Sequence, residues 1–374
     1  MNTQRDVVIV NCFDTYEHRV ELLIRYFESR KQSVLVLTSD WLHFHKSVRT
    51  QCPQGYEMIH VNPYTKNLSV GRLRSHYYFA KDTLTRLEEL KPKLLWVMVP
   101  PNSLVERAAE YKKAHSDCKL VLDFIDMWPE TMPISKFKSM PPFTNWRDLR
   151  DKNLVAADAI VTECDLYHTV LEKHYDPDHI HTLYLARKAG ENCSQPKLPE
   201  DRVALCYLGS INNIIDIPLI VQIIKGIEQP VDFHIIGDGE NCQTLLDAAQ
   251  QAGANVIFHG KVYDPNEKQQ IFDQCHFGLN IMKKSVFVGL TMKSIDYFEG
   301  GLPIINNIKG DTWQFVEQKG IGINVESGKN INGETIDTIQ RNRKFVRTFF
   351  EENFIEEIFH NRVHEILAHM NTES

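Results

Sequence analysis

The chain runs through one pattern twice. Short apolar runs rich in β-branched residues, "DVVIVN" (6–11), "SVLVLT" (33–38), "LLWVMV" (94–99), "KLVLDF" (119–124) and "DAIVTE" (158–163), alternate with segments of helical period. In the first such segment, 16–31, Val20, Leu23, Ile24 and Phe27 recur on one helical face. A strand apolar on both sides must be covered on both sides, which predicts a parallel sheet between layers of helices. The polar stretch "LARKAGENCSQPKLPEDR" (185–202) then reads as a linker. After it the pattern restarts with "VALCYLG" (203–209), "VDFHIIG" (231–237), "NVIFHG" (255–260), "FGLNIM" (277–282), "PIINN" (303–307) and "GIGINV" (320–325). The expectation is two doubly wound α/β domains, 1–190 and 200–340. A helical segment, 341–374, comes last and is expected to pack back toward the N-terminal domain. Its stripe of Val346, Phe349, Phe350, Ile358, Phe359, Val363, Ile366 and Leu367 reads as core packing.

The 374 residues suffice for two such domains. A net charge of −7 argues against a general nucleic-acid binder, which would be strongly basic. The eight cysteines form no C-x-x-C pair and several sit in apolar runs, the pattern of reduced thiols rather than a disulfide frame or zinc site. The histidines show no H-x-x-x-H or H-E-x-x-H pairing, and "DPD" (176–178) reads as a helix-ending turn, so no metal is expected. "MNTQRDVVIVN" does not read as an export signal. No apolar run approaches the roughly eighteen residues that span a bilayer. A cytoplasmic protein is expected, with peripheral association at the inner face of the cytoplasmic membrane as an option.

Ligands of doubly wound sheets bind outside the carboxyl ends of the strands, so the loops there carry the candidate site. "YLGSINN" places Gly209, Ser210 and Asn213 after one strand, and "IIGDGE" places Gly237, Asp238 and Gly239 after the next. Glycines there let backbone N–H groups approach a phosphate. "HGKVYD" brings Lys261 and Val262, whose backbone could read the edge of a flat heterocycle. In "GLTMKSIDYFEGGLPIINN", Leu290, Thr291, Met292 and Lys293 open a helix whose free N–H groups and dipole favour a diphosphate. Asp296 lies nearly one turn on, placed to accept hydrogen bonds from a ribose diol. A capped helix with an exposed ion pair is the plainer alternative.

In the first half, Asp14, Tyr16, Glu17 and Arg19 come after the first strand. Asp126 comes after "VLDF", and Trp128-Pro129 stiffens its loop. Asp126 either orients an acceptor hydroxyl or the transferring sugar, or simply caps the next segment. Arg19 either meets a ligand or forms a local ion pair. The basic, aromatic "RLRSHYYFAK" (72–81) suits a pyrophosphate-linked lipid or an anionic membrane surface, or else is a solvated helix face.

The ordered series "YLGS…IIGDGE…HGKV…TMKSIDYFEGGLPI…GIGINV" resembles the C-terminal half of GT-B fold glycosyltransferases related to family 4. "LDFIDMWPET" (122–131) and "ADAIVTECDLY" (157–167) are similar to loops of their N-terminal half. "FDTYEHRVELL" (13–23), "PPNSLV" (100–105) and "GLPIINNIKGDTW" (301–313) resemble bacterial capsular and exopolysaccharide enzymes. The resemblance implies two Rossmann-like domains facing a cleft, with the donor on the C-terminal one and the acceptor on the N-terminal one. It implies a metal-independent retaining hexosyltransferase that uses a UDP- or GDP-linked sugar as co-substrate, with no other cofactor. The implied acceptor is a glycan, lipid-linked, in bacterial surface polysaccharide synthesis. Asp296 would take the part of the family's ribose-binding glutamate, and Asp126 and Lys293 the catalytic parts. Two departures stand out. Val288 occupies the place of a usual glutamate, and "INNIID" (211–216) replaces basic residues near the diphosphate, leaving Lys293, backbone N–H groups and Lys283 or Lys284 to neutralise it. A sugar-nucleotide 2-epimerase and a non-catalytic partner subunit are the alternatives.

Overall fold

The computed structural model describes residues 5–67, 69–132, 134, 138–188, 196–326 and 343–372. The chain forms two compact units, Met1–Ala186 with Glu356–Ser374, and Arg187–Ile355.

The first unit is built on a seven-stranded parallel sheet. Its strands are β1 (Val7–Asn11), β2 (Val34–Ser39), β5 (Tyr56–Ile59), β6 (Leu94–Val99), β7 (Lys119–Phe124), β8 (Ala159–Thr162) and β9 (Ile180–Thr182), in the order β5-β2-β1-β6-β7-β8-β9. A two-stranded antiparallel ribbon, β3 (Trp41–Leu42) with β4 (Ser47–Val48), stands apart. In register, Val7 lies opposite both Val34 and Leu94, so the continuous apolar runs face helices on both sides. Those helices are α1 (Glu17–Ser29), α2 (Val70–Leu90), α3 (Asn102–Ala114), α4 (Phe143–Asp151) and the single turn α5 (His168–Leu171).

The second unit carries a six-stranded parallel sheet of β10 (Val203–Leu208), β11 (Val231–Ile236), β12 (Asn255–Gly260), β13 (Phe277–Asn280), β14 (Ile304–Asn306) and β15 (Gly322–Asn324), ordered β12-β11-β10-β13-β14-β15. Its helices are α6 (Ile217–Gly226), α7 (Cys242–Gln251), α8 (Pro265–Phe272), α9 (Met292–Glu299), α10 (Asp311–Lys319) and α11 (Arg343–Asn353). In both sheets the strand order reverses beside the first strand, which opens a crevice at the carboxyl edge.

The C-terminal segment is shared between the units. Helix α11 buries Val346, Phe349 and Phe350 within the second. The last helix, α12 (Glu356–Thr372), buries Phe359, Val363, Ile366 and Met370 in the core of the first, against Val20, Leu23 and Phe27 of α1. The part of the expected helical segment before Arg343, and residues 189–195 of the expected linker, lie outside the described residues.

Candidate functional site

In the second unit the loops after β10, β11 and β12 are laced together by their backbones. Gly209 N–H donates to Ile236 O at 2.9 Å, Gly237 N–H to Gly260 O at 2.7 Å, and Ile211 N–H to Asp238 O at 2.9 Å. The lacing demands glycine at 237. Its φ is +141°, and a Cβ there would stand 1.9 Å from Gly209 O. Gly209, at φ +120°, turns its open side toward Lys293, whose Cε would be the nearest atom to an added Cβ, at 3.9 Å.

Helix α9 is fixed at both ends of its first turn. Thr291 caps it, its Oγ1 accepting from Ser294 N–H at 3.2 Å while donating to Asn280 Oδ1 at 2.8 Å. Asn280 and Asn306, both fully buried, continue a side-chain ladder along the strand ends. Asn280 Nδ2 donates to Asn306 Oδ1 at 2.9 Å, and Asn306 Nδ2 to Asn324 Oδ1 at 2.8 Å. A buried network with its members satisfied holds one geometry. From the inner face of α9, the Tyr297 hydroxyl accepts from Leu208 N–H at 2.7 Å and donates to Cys206 O at 3.2 Å. Its ring lies so close over Gly278 that a Cβ there would come within 2.6 Å. Helix α9 is thereby held at the carboxyl end of β10.

Met292 and Lys293, the first residues of that helix, present N–H groups that no intrahelical carbonyl can satisfy. The Lys293 ammonium lies 4.4 Å from the Tyr207 ring centroid and 3.3 Å from its hydroxyl. No carboxylate pairs with it among the described residues. Burial pushes its pKa down to about 7. A helix N-terminus, a glycine loop and an uncompensated lysine together form a receptor for an anion.

Asp296 lies on the next turn, with Lys268 Nζ at 3.4 Å and Arg187 Nε at 3.8 Å. Its carboxylate therefore already has two cations nearby, and a diol would share or displace them. Leu290 is buried, so only its backbone can contact a ligand. Thr291 acts through its cap, and Met292 is half-buried. Ser210 and Asn213 are exposed; Ser210 O accepts from Tyr207 and Asn213 Oδ1 from Asn241. Asp238 and Gly239 lie in the exposed loop, where Lys261 Nζ approaches Asp238 at 3.5 Å; Val262 beside it is half-buried. Lys283 and Lys284 are exposed. The sequence reading missed Asn280 and Asn306. The signal available was an asparagine ending each of two apolar runs, where a buried amide requires partners.

The first unit gathers a second group of side chains. The Trp128 indole N–H donates to Asp126 Oδ2 at 2.6 Å. Burial raises the Asp126 pKa, opposed by that hydrogen bond and by Arg72. Tyr16 packs edge-on against Phe13 at 5.7 Å between ring centroids, and burial raises its hydroxyl pKa well above the usual range. Asp14 Oδ1 accepts from His43 N–H at 2.9 Å, and Glu17 pairs with Arg49. Of the two readings of Arg19, the structure shows the ion pair: it is buried, donating to Asp123 at 2.8 and 2.9 Å and to Leu183 O at 2.7 Å, and so ties α1 to β7. Its place on the inward face of α1 makes the pair costly to break, because removing one partner would leave the other charge buried and uncompensated. Asp176 of "DPD" caps a short turn, accepting from Asp178 N–H at 3.1 Å.

Comparison with known proteins agrees with this architecture. Residues 202–333 match the sequence profile of the family Glycosyl transferases group 1. Sucrose-phosphate synthase from Thermosynechococcus elongatus superposes with a TM-score of 0.70 at 11% identity, covering 99% of this chain and 100% of that one. Anabaena Alr3699/HepE in complex with UDP gives 0.69 at 12% identity, over 97% and 99%. The lipopolysaccharide outer core galactosyltransferase WaaB gives 0.67 at 12%, over 96% and 98%. No curated protein sequence matches significantly. No helix among the described residues is long and apolar enough to cross a membrane. The chain has the GT-B fold, and its second unit matches the glycosyl transferases of group 1.

Proposed function

We propose that this protein transfers a hexosyl group from a UDP- or GDP-linked sugar to a lipid-linked glycan, without a metal ion and with retention of configuration, in bacterial surface polysaccharide synthesis. Lys293 is the observation that carries the reading. It is a half-buried cation with no carboxylate partner among the described residues, at the start of α9 and facing Gly209. As the bond between the anomeric carbon and the phosphate oxygen breaks, negative charge grows on the diphosphate. Preorganised N–H groups and an ammonium stabilise that charge more than they stabilise the ground state. The acceptor oxygen forms the new bond, and its proton passes to the leaving phosphate oxygen. Asp126, held by Trp128, orients the acceptor hydroxyl. The UDP complex of HepE supports the donor assignment by analogy.

Calorimetric titration with UDP, GDP, ADP and CMP tests the reading, on wild type and on Asp296→Ala and Lys293→Met. Selective binding of one nucleoside diphosphate, weakened by both substitutions, is the expected result. A folded protein that binds none of the four would sink the donor site. The partner-subunit reading would then lead, and it already gains from the two cations engaged on Asp296.

A further inference from the structure

Arg72, 6% exposed, lies on the inner face of α2 with no carboxylate partner among the described residues. Its guanidinium sits over the Trp128 ring at 4.6 Å and near Phe13 and Tyr64 at 5.5 and 5.8 Å. Its hydrogen bonds go to neutral acceptors, Asn67 O at 2.9 Å and His76 Nε2 at 3.4 Å. The second bond fixes the tautomer of His76. Nε2 accepts, so in the neutral ring Nδ1 carries the proton. That Nδ1–H is buried and finds no partner. Burial holds His76 neutral, with its pKa well below the usual value. A second cation, Lys46, stands 5.0 Å from the Tyr64 ring and donates to Asn67 Oδ1 at 2.6 Å.

A guanidinium without an ion-pair partner among the described residues and an orphan N–H donor both suit acceptor oxygens carrying charge. The residues that carry them, Arg72 and His76, are among those lining a cleft of about 540 Å³ between α2 and α4, whose apolar walls include Val70, Leu73, Tyr77, Phe143, Trp146 and Leu149. Val70 and Tyr77 leave 65% and 46% of their surface in water. Arg72 thus brings a cation to a cleft that is otherwise mainly apolar, with Asn67, Ser69, Ser103 and Asn145 as neutral polar lining.

We propose that this cleft holds the anionic end of an amphiphile, its phosphate on Arg72 and His76 and its hydrocarbon chain along α2 and α4. The proposal rests on the transferase reading in identifying that amphiphile with the acceptor. Asp126 is linked to Arg72 through one indole, which donates to the carboxylate at its edge and carries the guanidinium over its ring. A phosphate on Arg72 would therefore place the adjoining sugar of the acceptor near Asp126.

The test is a tryptophan-fluorescence titration of the full chain with farnesyl diphosphate, inorganic pyrophosphate and farnesol, since Trp128 and Trp146 flank the site. Farnesyl diphosphate should bind at least about tenfold more tightly than either fragment. Arg72→Gln should weaken farnesyl diphosphate by about ten- to a hundredfold and leave farnesol unchanged, as loss of a hydrogen bond to a charged group implies. Val70→Glu, a substitution at an exposed position that cannot unfold the core, should weaken farnesyl diphosphate and farnesol but not pyrophosphate. Equal affinity for farnesyl diphosphate and pyrophosphate, or no effect of both substitutions, would overturn the proposal. UDP titration of the same proteins separates the two readings. Lost UDP binding with farnesyl diphosphate retained defeats the donor site alone, and the reverse defeats the cleft alone.

Discussion

Lys293 Nζ stands 3.3 Å from the Tyr207 hydroxyl, over that ring's face, and has no carboxylate to neutralise it among the described residues. An aromatic face and a neutral hydroxyl hold an ammonium weakly, so burial prevails and the pKa falls to about 7. The pH effect therefore has a definite sign. Below pH 7 the amine is already charged and a diphosphate binds without taking up a proton here. Above it the free protein carries a neutral amine, which must take up a proton from solvent when the diphosphate binds. Nucleoside diphosphate affinity should therefore fall by up to about tenfold per pH unit above 7. Calorimetry in buffers of different ionisation enthalpy should show proton uptake at pH 8 that Lys293→Met abolishes. Unchanged uptake in that variant would assign the proton to another group.

Gly237 tests the loop lacing independently of charge. The Cβ of Gly237→Ala would have to occupy space within 1.9 Å of Gly209 O, in a φ region that disfavours alanine. Either the β11 loop or the β10 loop must move, and Gly209 would lose its place opposite Lys293. Diphosphate binding should become undetectable, at a stability cost of about 1–3 kcal/mol. Denaturant melts alongside the titration would separate the two effects. Gly253→Ala is the control, because it also has positive φ but an added Cβ meets nothing within 4 Å.

Tyr297 shows how a site residue can act from the core. Removing its hydroxyl in Tyr297→Phe leaves the Leu208 N–H without the acceptor it has at 2.7 Å. The cost should be about 1–3 kcal/mol in stability. Because the same bond joins α9 to the end of β10, affinity for a nucleoside diphosphate should fall too. Equal affinity in a destabilised variant would show that α9 keeps its position without it.

The strand runs and the site loops of the second unit were legible in the sequence for one reason. A parallel strand covered on both faces is apolar throughout, and the residue after it is free to be glycine or polar. The edge strands of the second sheet, β12 and β15, still showed as runs, but the two edge strands of the first sheet escape this logic. "YEMI" of β5 and "IHT" of β9 lie at the two margins of their sheet, where one side stays wet and the apolar signal weakens. The gathering of Phe13, His43, Tyr64, Arg72, His76 and Trp128 was equally hidden, since it joins separate segments that only the sheet order brings together. The stretch from Arg72 to Lys81 did register as basic and aromatic. A linear reading could not show that its first arginine is buried and has no ion-pair partner among the described residues.

Arg19 makes the opposite case, since the sequence left it between a ligand contact and an ion pair, and the fold buries it in a pair with Asp123. Asp123 accepts from Arg19 at two nitrogens and from Trp96 Nε1 at 2.9 Å. Arg19→Met would strand a fully buried carboxylate and should cost about 3–5 kcal/mol. Arg19→Met combined with Asp123→Leu removes both charges but leaves the Trp96 N–H unpaired. The double variant should recover most of that loss, less the roughly 1–3 kcal/mol of one buried donor without a partner. Urea denaturation of the single and double variants reads this directly. A double variant no more stable than Arg19→Met would mean that the pair is more than neutralised charge and that the geometry tying α1 to β7 is itself required. The same melts bear on function. If Arg19 is purely structural, activity per folded molecule should be unchanged in the double variant, whereas a lost acceptor contact would raise KM with stability restored.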